Sequence, residues 1–279
     1  MKVRLITLSE NTAATPGFMA EWGWSIVVQV NDVSVLFDTG WCCAAIKNAD
    51  KLGIDFRSIS KIILSHAHVD HTGGLRKILQ RIGREVEIIA HPAVWEVKYT
   101  KRPYEEDAAF IGVPFAREEL EHLGASFRHS KGPVRISENI MTTGEISVTT
   151  DFEPVESIFY VKENQALRYD TMPDDLALVV KTQEGLVIIL GCAHRGIINT
   201  IRQAQEITDE KRVHTVVGGT HLSPKTDAQI DKTIEVLKKL GVHKIGVSHC
   251  TGFHASMRLA QEFGDKFFLN NAGTIYTFD

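Results

Sequence analysis

Short apolar runs alternate along the chain with stretches whose apolar residues recur every three or four positions. The short runs are bounded by turn residues and predict strands at 3–8, 25–30, 33–38, 61–65, 86–90, 177–181, 186–190, 215–218 and 244–248. The periodic stretches predict helices at 44–52, 75–82, 196–207, 226–240 and 256–263. Strands and helices that alternate in this way predict a sheet-rich α/β core covered by helices.

The loop that follows the fourth predicted strand is dense in metal-binding side chains. From residue 65 it reads SHAHVDHTGG. In an extended segment the side chains of His66 and His68 point to the same side, so both can reach one metal ion. Asp70 and His71 lie past the bend and are free to reach a second ion. The alternative, a loop of histidines that only caps the following helix, does not account for this density, and the loop predicts one or two divalent ions.

Three further histidines come shortly after the last three predicted strands. They are His194, His221 and His249. Because strand ends meet at one edge of an α/β sheet, we predict that His194 and His249 complete the metal site. For His221 both a ligand and a substrate contact remain open. Imidazole and carboxylate ligands suit zinc, manganese or iron(II), and the sequence does not choose among these metals.

Composition narrows the class of protein. The 279 residues are 43% hydrophobic and 24% charged, with a net charge of -4, which is typical of a soluble globular protein. Nothing in this balance predicts nucleic-acid binding, and no apolar run approaches the roughly 18 residues of a membrane span. The amino terminus reads as a strand rather than a signal peptide, and the four cysteines form no disulfide framework. We therefore expect a cytoplasmic protein that acts on a small molecule; the sequence does not predict its oligomeric state.

The SHAHVDHTGG loop resembles the signature of the metallo-β-lactamase superfamily, and VLFDTG at 35–40 resembles its first motif. Other segments resemble one branch of that superfamily. That branch contains the archaeal methanopterin enzyme that joins a dihydropterin-methyl diphosphate to an aminobenzene ribofuranosyl phosphate. The segments read ENT from residue 10, AEWG from 20, TGEI from 143, GCAHRGIIN from 191, GGTHL from 218 and HCTG from 249. Together they extend over nearly the whole chain.

The resemblance implies an α/β (α+β) fold of the four-layer αββα type, with two sheets face to face and helices outside. It also implies that Asp38 organises the metal loop from behind. Asn11 and Glu145 lie in branch-like segments and either support the site or serve in turns. Trp22 stands where we expect histidine in the branch, and it either stacks a flat substrate or belongs to the core.

Cys192 occupies a position where many members of the superfamily carry an aspartate that bridges two metals. Its thiolate could bind zinc, but we favour a small buried residue without a role. Asp174 or Asp175 could supply a carboxylate instead. The expected centre is therefore either dinuclear with a different bridge, or one that holds one metal tightly and one loosely.

Charged residues dominate the segment from about 95 to 130, within a single domain spanning residues 1–279. In proteins that the chain resembles, such a segment covers the active site. We interpret it as a partly helical lid, with Lys98, Lys101 and Arg102 as candidate phosphate contacts, or as a solvated excursion without a catalytic part.

The chain is thus expected to be a metal-dependent hydrolase that acts on a phosphorylated or diphosphate-bearing small molecule. Asp70 would orient or deprotonate a metal-activated water while His66, His68 and His71 hold the ions. The alternative is the pterin-type transferase, in which the metals hold the diphosphate leaving group while an arylamine attacks the methylene carbon. A non-catalytic ligand-binding protein is a third reading, against which the intact HxHxDH loop argues.

Overall fold

Seventeen strands and seven α-helices form the part of the chain that the computed structural model describes, residues 1–278. The strands are β1 (Val3–Ser9), β2 (Ser25–Val30), β3 (Val33–Phe37), β4 (Lys61–Ile63), β5 (Val86–Ala90), β6 (Lys98–Thr100), β7 (Ala109–Phe110), β8 (Ala125–His129), β9 (Ile140–Thr142), β10 (Phe159–Glu163), β11 (Ala166–Tyr169), β12 (Leu178–Thr182), β13 (Gly185–Leu190), β14 (Val213–Gly219), β15 (Lys244–Ser248), β16 (Phe267–Leu269) and β17 (Ile275–Phe278). The helices are α1 (Ala44–Leu52), α2 (Val69–Thr72), α3 (Leu75–Ile82), α4 (Arg117–His122), α5 (Ile197–Thr208), α6 (Asp227–Lys239) and α7 (Phe253–Phe263).

Two large sheets carry the fold. One has seven strands in the order β17-β1-β2-β3-β4-β5-β8, and the other has six in the order β16-β15-β14-β13-β12-β9. Strands β3, β4, β5 and β8 run parallel to one another, as do β13, β14, β15 and β16, whereas β3 is antiparallel to β2 and β13 is antiparallel to β12. The carboxyl ends of these parallel strands therefore lie along one edge of each sheet, where ligands bind in open α/β sheets.

Alternate residues of the central strands face two different apolar cores, as the two-residue period of a strand requires. In β13, Leu186 and Ile188 pack with α5, α6 and α7, whereas Val187 and Ile189 face the core between the two sheets. The seven-stranded sheet packs its outer face against α1, α3 and α4 in the same way. Helices, sheet, sheet and helices thus form the predicted four-layer αββα sandwich, which is confirmed.

A small third sheet, in the order β11-β10-β6-β7, contains part of the charged segment that was predicted at about 95–130. The part of that segment outside the two large sheets, here called the excursion, ends earlier than predicted. Residues Ala125–His129 pair in parallel with Val86–Ala90 and so belong to the seven-stranded sheet. Strand β6 instead pairs with β7 on one side and, on the other, with β10 of a β10–β11 hairpin that lies about sixty residues later in the chain. Among the residues described, no helix is long and apolar enough to cross a bilayer.

Candidate metal centre

The loops that follow β4, β13 and β15 bring four of the six predicted ligands together in two buried groups, and the other two, His68 and Asp70, lie beside these groups. The first contains His66 and His194, and the second contains His71 and His249. Cys192 belongs to both groups, and within each group the ligand atoms lie within 4.8 Å of one another. The sheet edge predicted from the sequence therefore assembles distant parts of the chain at one point.

Apart from Cys192, the first group consists of neutral imidazoles, and the imidazole of His68 lies beside it. His66 Nε2 lies 3.3 Å from His194 Nε2, and the ring of His68 lies 4.5 Å from the His66 ring and 4.9 Å from the His194 ring. Burial holds the pKa of all three histidines well below the usual value, so each keeps a ring nitrogen free to donate a lone pair. His68 Nε2 is buried without a hydrogen-bond partner among residues 1–278. A buried polar atom left in this way needs a partner that a protein group does not supply.

A carboxylate lies beside the second group. Asp70 Oδ2 lies 3.2 Å from His249 Nε2 and 4.0 Å from His71 Nε2. Burial alone would raise the pKa of Asp70, but His71 and His249 bring it below its usual range. Burial would lower the pKa of His71, but the carboxylates of Asp38 and Asp70 raise it to about 9.

Spacings between these atoms fit ligands that share an ion. With zinc-to-nitrogen bonds of about 2.0–2.1 Å and tetrahedral angles, two nitrogen ligands of one ion lie about 3.4 Å apart. The His66–His194 and Asp70–His249 spacings of 3.3 and 3.2 Å match that value. Imidazole, carboxylate and thiol donors together form a set that suits zinc or iron(II).

A surrounding layer of hydrogen bonds holds the ring orientations. Asp38 Oδ2 accepts a hydrogen bond from His71 Nδ1 at 2.7 Å, and the Asp38 carboxylate also accepts from the backbone N–H and hydroxyl of Ser65 at 2.7 and 2.6 Å. Asn11 Oδ1 accepts from His249 Nδ1 at 2.9 Å, and Glu10 Oε1 accepts from the His249 backbone N–H at 2.7 Å. Such contacts leave Nε2 of each ring facing the centre.

The backbone is unusual where the strands end. Asp38, Ala193, His221 and His249 have φ values of 59°, 54°, 48° and 53°, in the left-handed region that non-glycine residues rarely adopt. Strained residues of this kind cluster at functional sites. The chain at Gly191 also passes close to the metal loop, since a Cβ there would lie 2.1 Å from the Ser65 hydroxyl.

His221 and Trp22 flank the centre on two sides. His221 Nδ1 lies 3.2 Å from Glu156, and these two residues form a third candidate ligand group with His194. Trp22 Nε1 donates a hydrogen bond to Asp70 Oδ2 at 3.1 Å, and the exposed indole lies 5.3 Å from the His249 ring. Trp22 is therefore not a core residue but part of the rim.

Several expectations differ from the structure. Glu145 lies outside the three ligand groups and accepts a hydrogen bond from Arg195 at 3.2 Å. Asp174 does not supply a ligand, because it accepts from the backbone N–H of Ala67 at 2.8 Å and pairs with Lys98. Asp175 instead accepts from the Arg195 backbone N–H at 2.8 Å, and burial raises its pKa to about 7.

Lys98 is not a phosphate contact. Its side chain is fully buried, and its ammonium lies 2.6 Å from Asp170 and 2.7 Å from Asp174. Three residues that contact the centre, Glu10, Ser65 and Glu156, were not predicted from the sequence. The first two lie inside or beside quoted motifs, whereas Glu156 lies in an irregular segment without a motif.

Comparison with known proteins identifies the family of this chain. The model of the metallo-β-lactamase superfamily matches residues 23–155. The chain is 35% identical over 285 residues to the 7,8-dihydropterin-6-methyl-4-(β-D-ribofuranosyl)-aminobenzene-5'-phosphate synthase of Methanocaldococcus jannaschii, covering 99% of this chain and 97% of that protein.

Solved structures give the same result. The structure of Tm1679, a metal-dependent hydrolase of the β-lactamase superfamily, is 30% identical with a TM-score of 0.85 and covers 98% of both chains. The metallo-β-lactamase fold protein YhfI of Bacillus subtilis is 11% identical with a TM-score of 0.63 over the full length of both chains, which supports the fold alone. The chain belongs to the metallo-β-lactamase superfamily, in the branch that contains the M. jannaschii synthase.

Proposed function

We propose that this protein is a metal-dependent transferase that joins a dihydropterin-methyl diphosphate to an aminobenzene ribofuranosyl phosphate and releases pyrophosphate. The observation that carries the proposal is the 35% identity to the M. jannaschii synthase over 99% of this chain. The two ligand groups are also close enough to act on one diphosphate, because Cys192 is common to both.

In this proposal His66 and His194, with His68 beside them, would hold one ion, and His71 and His249, with Asp70 beside them, would hold the second. When bound, divalent ions would supply positive charge to offset the charge on a diphosphate leaving group. The nitrogen of the arylamine forms a bond to the methylene carbon while the bond from that carbon to the diphosphate oxygen breaks. One proton is released from the amine.

A cavity next to the centre offers space for the acceptor. Its volume is about 320 Å³, within the range of small-molecule sites, and its lining includes Val148, Val155, Tyr169, Glu156 and Arg195. The apolar side chains suit an aryl ring, and Arg195, which donates hydrogen bonds to Glu145 and to the Ile146 carbonyl oxygen, closes one side of the cavity. Arg195 directly follows His194, so an acceptor in this cavity would lie beside the first ligand group.

The excursion, which contains β6 and β7, lies against the metal loop and could cover the site. Its residue Ile111 accepts a hydrogen bond from the backbone N–H of Val69, in the metal loop, at 2.8 Å. We propose that this segment limits the access of water, because a transferase must exclude water from a carbon that an amine is to attack.

Hydrolysis of the diphosphate is the second candidate function, favoured by the 30% identity to the hydrolase Tm1679. Phosphorus NMR separates the two candidates. The metal-loaded protein is incubated with the dihydropterin-methyl diphosphate, with and without the aminobenzene ribofuranosyl phosphate. The proposal predicts pyrophosphate release only with the acceptor present; equal release without the acceptor would favour the hydrolase.

The assay includes one variant that is expected to be inactive and one control variant. Asp70→Asn removes the carboxylate charge that lies 3.2 Å from His249 Nε2 and is expected to abolish release. His122→Ala changes an exposed histidine of α4, away from the ligand groups, and is expected to leave release unchanged.

A further inference from the structure

Cys192 lies between the two ligand groups, and no other described residue belongs to both. Its side chain is buried, and its Sγ lies 3.1 Å from His71 Nε2. It also shares the first group with His66 and His194. We propose that the Cys192 sulfur bridges the two metal ions as a thiolate.

The local backbone holds this sulfur in place. Cys192 follows Gly191 at the end of β13, where the chain passes so close to Ser65 that no side chain fits at residue 191. The same Ser65 is bonded to Asp38, which in turn holds His71. The strand that carries the sulfur and the loop that carries the histidines are therefore fixed against each other.

Charge also favours a thiolate at this position. The first group otherwise offers imidazoles, and the carboxylate of Asp70 lies beside the second group. Two divalent ions bring four positive charges into a buried site, and an anion shared by both ions lowers their mutual repulsion. A coordinating thiol is deprotonated, so each thiolate formed releases one proton to solvent.

The second buried cysteine, Cys250, contacts Cys192 but lies outside the ligand groups. Cys250 Sγ accepts a hydrogen bond from the His221 backbone N–H at 3.3 Å, and its thiol donates to the Cys192 carbonyl oxygen at 3.7 Å. Cys250 belongs to none of the ligand groups found among residues 1–278. Cys250→Ser is therefore a matched control for Cys192→Ser.

A bridging thiolate also narrows the class of metal. Soft sulfur ligands favour zinc or iron(II) over manganese. We therefore expect the centre to retain zinc or iron in preference to manganese when the metals compete at equal concentration.

The experiment is a cobalt(II) titration of the metal-free protein, followed by the sulfur-to-cobalt charge-transfer absorption in the near ultraviolet. In the wild-type protein and in Cys250→Ser the band should grow through both equivalents of cobalt. In Cys192→Ser it should be absent. The proposal is overturned if the wild-type band is missing, if it survives in Cys192→Ser, or if it stops growing after one equivalent.

A second measurement does not depend on how the variants fold. X-ray absorption at the zinc edge of the wild-type protein, loaded with two equivalents, should show sulfur at about 2.3 Å from zinc. Nitrogen and oxygen scattering alone would overturn the proposal.

The inference rests on the metal centre of the proposed function but needs no substrate. Metal that binds without sulfur contradicts the thiolate alone, whereas a protein that binds no divalent metal contradicts the proposed function as well.

Discussion

Lys98 provides the most direct test of how the excursion is tied to the metal loop. Its fully buried ammonium contacts Asp170 at 2.6 Å and Asp174 at 2.7 Å, and Asp174 also accepts the backbone N–H of Ala67. Lys98→Met keeps the apolar stem but removes the charge. Two carboxylates then remain buried without their partner.

Removing one member of a buried ion pair costs about 3–5 kcal/mol, because the remaining charge is left uncompensated. At roughly 2 °C for each kcal/mol in a protein of this size, the melting temperature should fall by roughly 6–10 °C. Because Asp174 anchors the backbone between His66 and His68, metal affinity should also fall, by about 10–100-fold.

Urea unfolding and a competitive zinc titration measure the two effects. Lys101→Met is the matched control, since Lys101 is a partly exposed lysine in the same segment; a surface change of this kind stays within about 0.5 kcal/mol. In the double variant Lys98→Met with Asp170→Asn, part of the lost stability should return. The reasoning is refuted if Lys98→Met is as stable as Lys101→Met.

Three other predictions concern single side chains. His68→Ala should lose about one equivalent of zinc in elemental analysis while the protein stays folded; unchanged stoichiometry would show that His68 is not a ligand. Asp38→Asn should weaken zinc binding by about 10–100-fold, since Asp38 orients His71, and an unaltered dissociation constant would contradict that role. Burial raises the pKa of Asp175 to about 7, so the folded protein binds this proton more tightly than the unfolded chain. The free energy of unfolding should therefore fall relative to Asp175→Asn as the pH rises from about 4 to about 7, and parallel pH profiles would disprove the shift.

Two of the helices that pack on the seven-stranded sheet, α1 and α3, were predictable from the sequence. Residues 44–52 and 75–82 match α1 and α3 to the residue, because apolar periodicity ends at glycines that close each helix in the left-handed conformation. Strand β11 was not predicted. All four of its residues are exposed, so none of them adds to the alternation of apolar and polar residues by which a half-buried strand is recognised.

The candidate site was predictable where local motifs mark it. Loop histidines and strand-end histidines carry their own signals, and the structure brings them together. The environment of Lys98 depends on partners 72 and 76 residues away, which no local pattern reveals. The position of Cys192 between both ligand groups likewise follows only from the packing of β13 against the metal loop.

The central claim is that this centre directs the formation of a carbon–nitrogen bond rather than hydrolysis. The measurement that tests it most directly is mass spectrometry of the products formed from both substrates in water enriched in oxygen-18. The account predicts the coupled pterin product and pyrophosphate without the label. Label in a hydroxymethyl pterin or in released phosphate, with no coupled product, would contradict it.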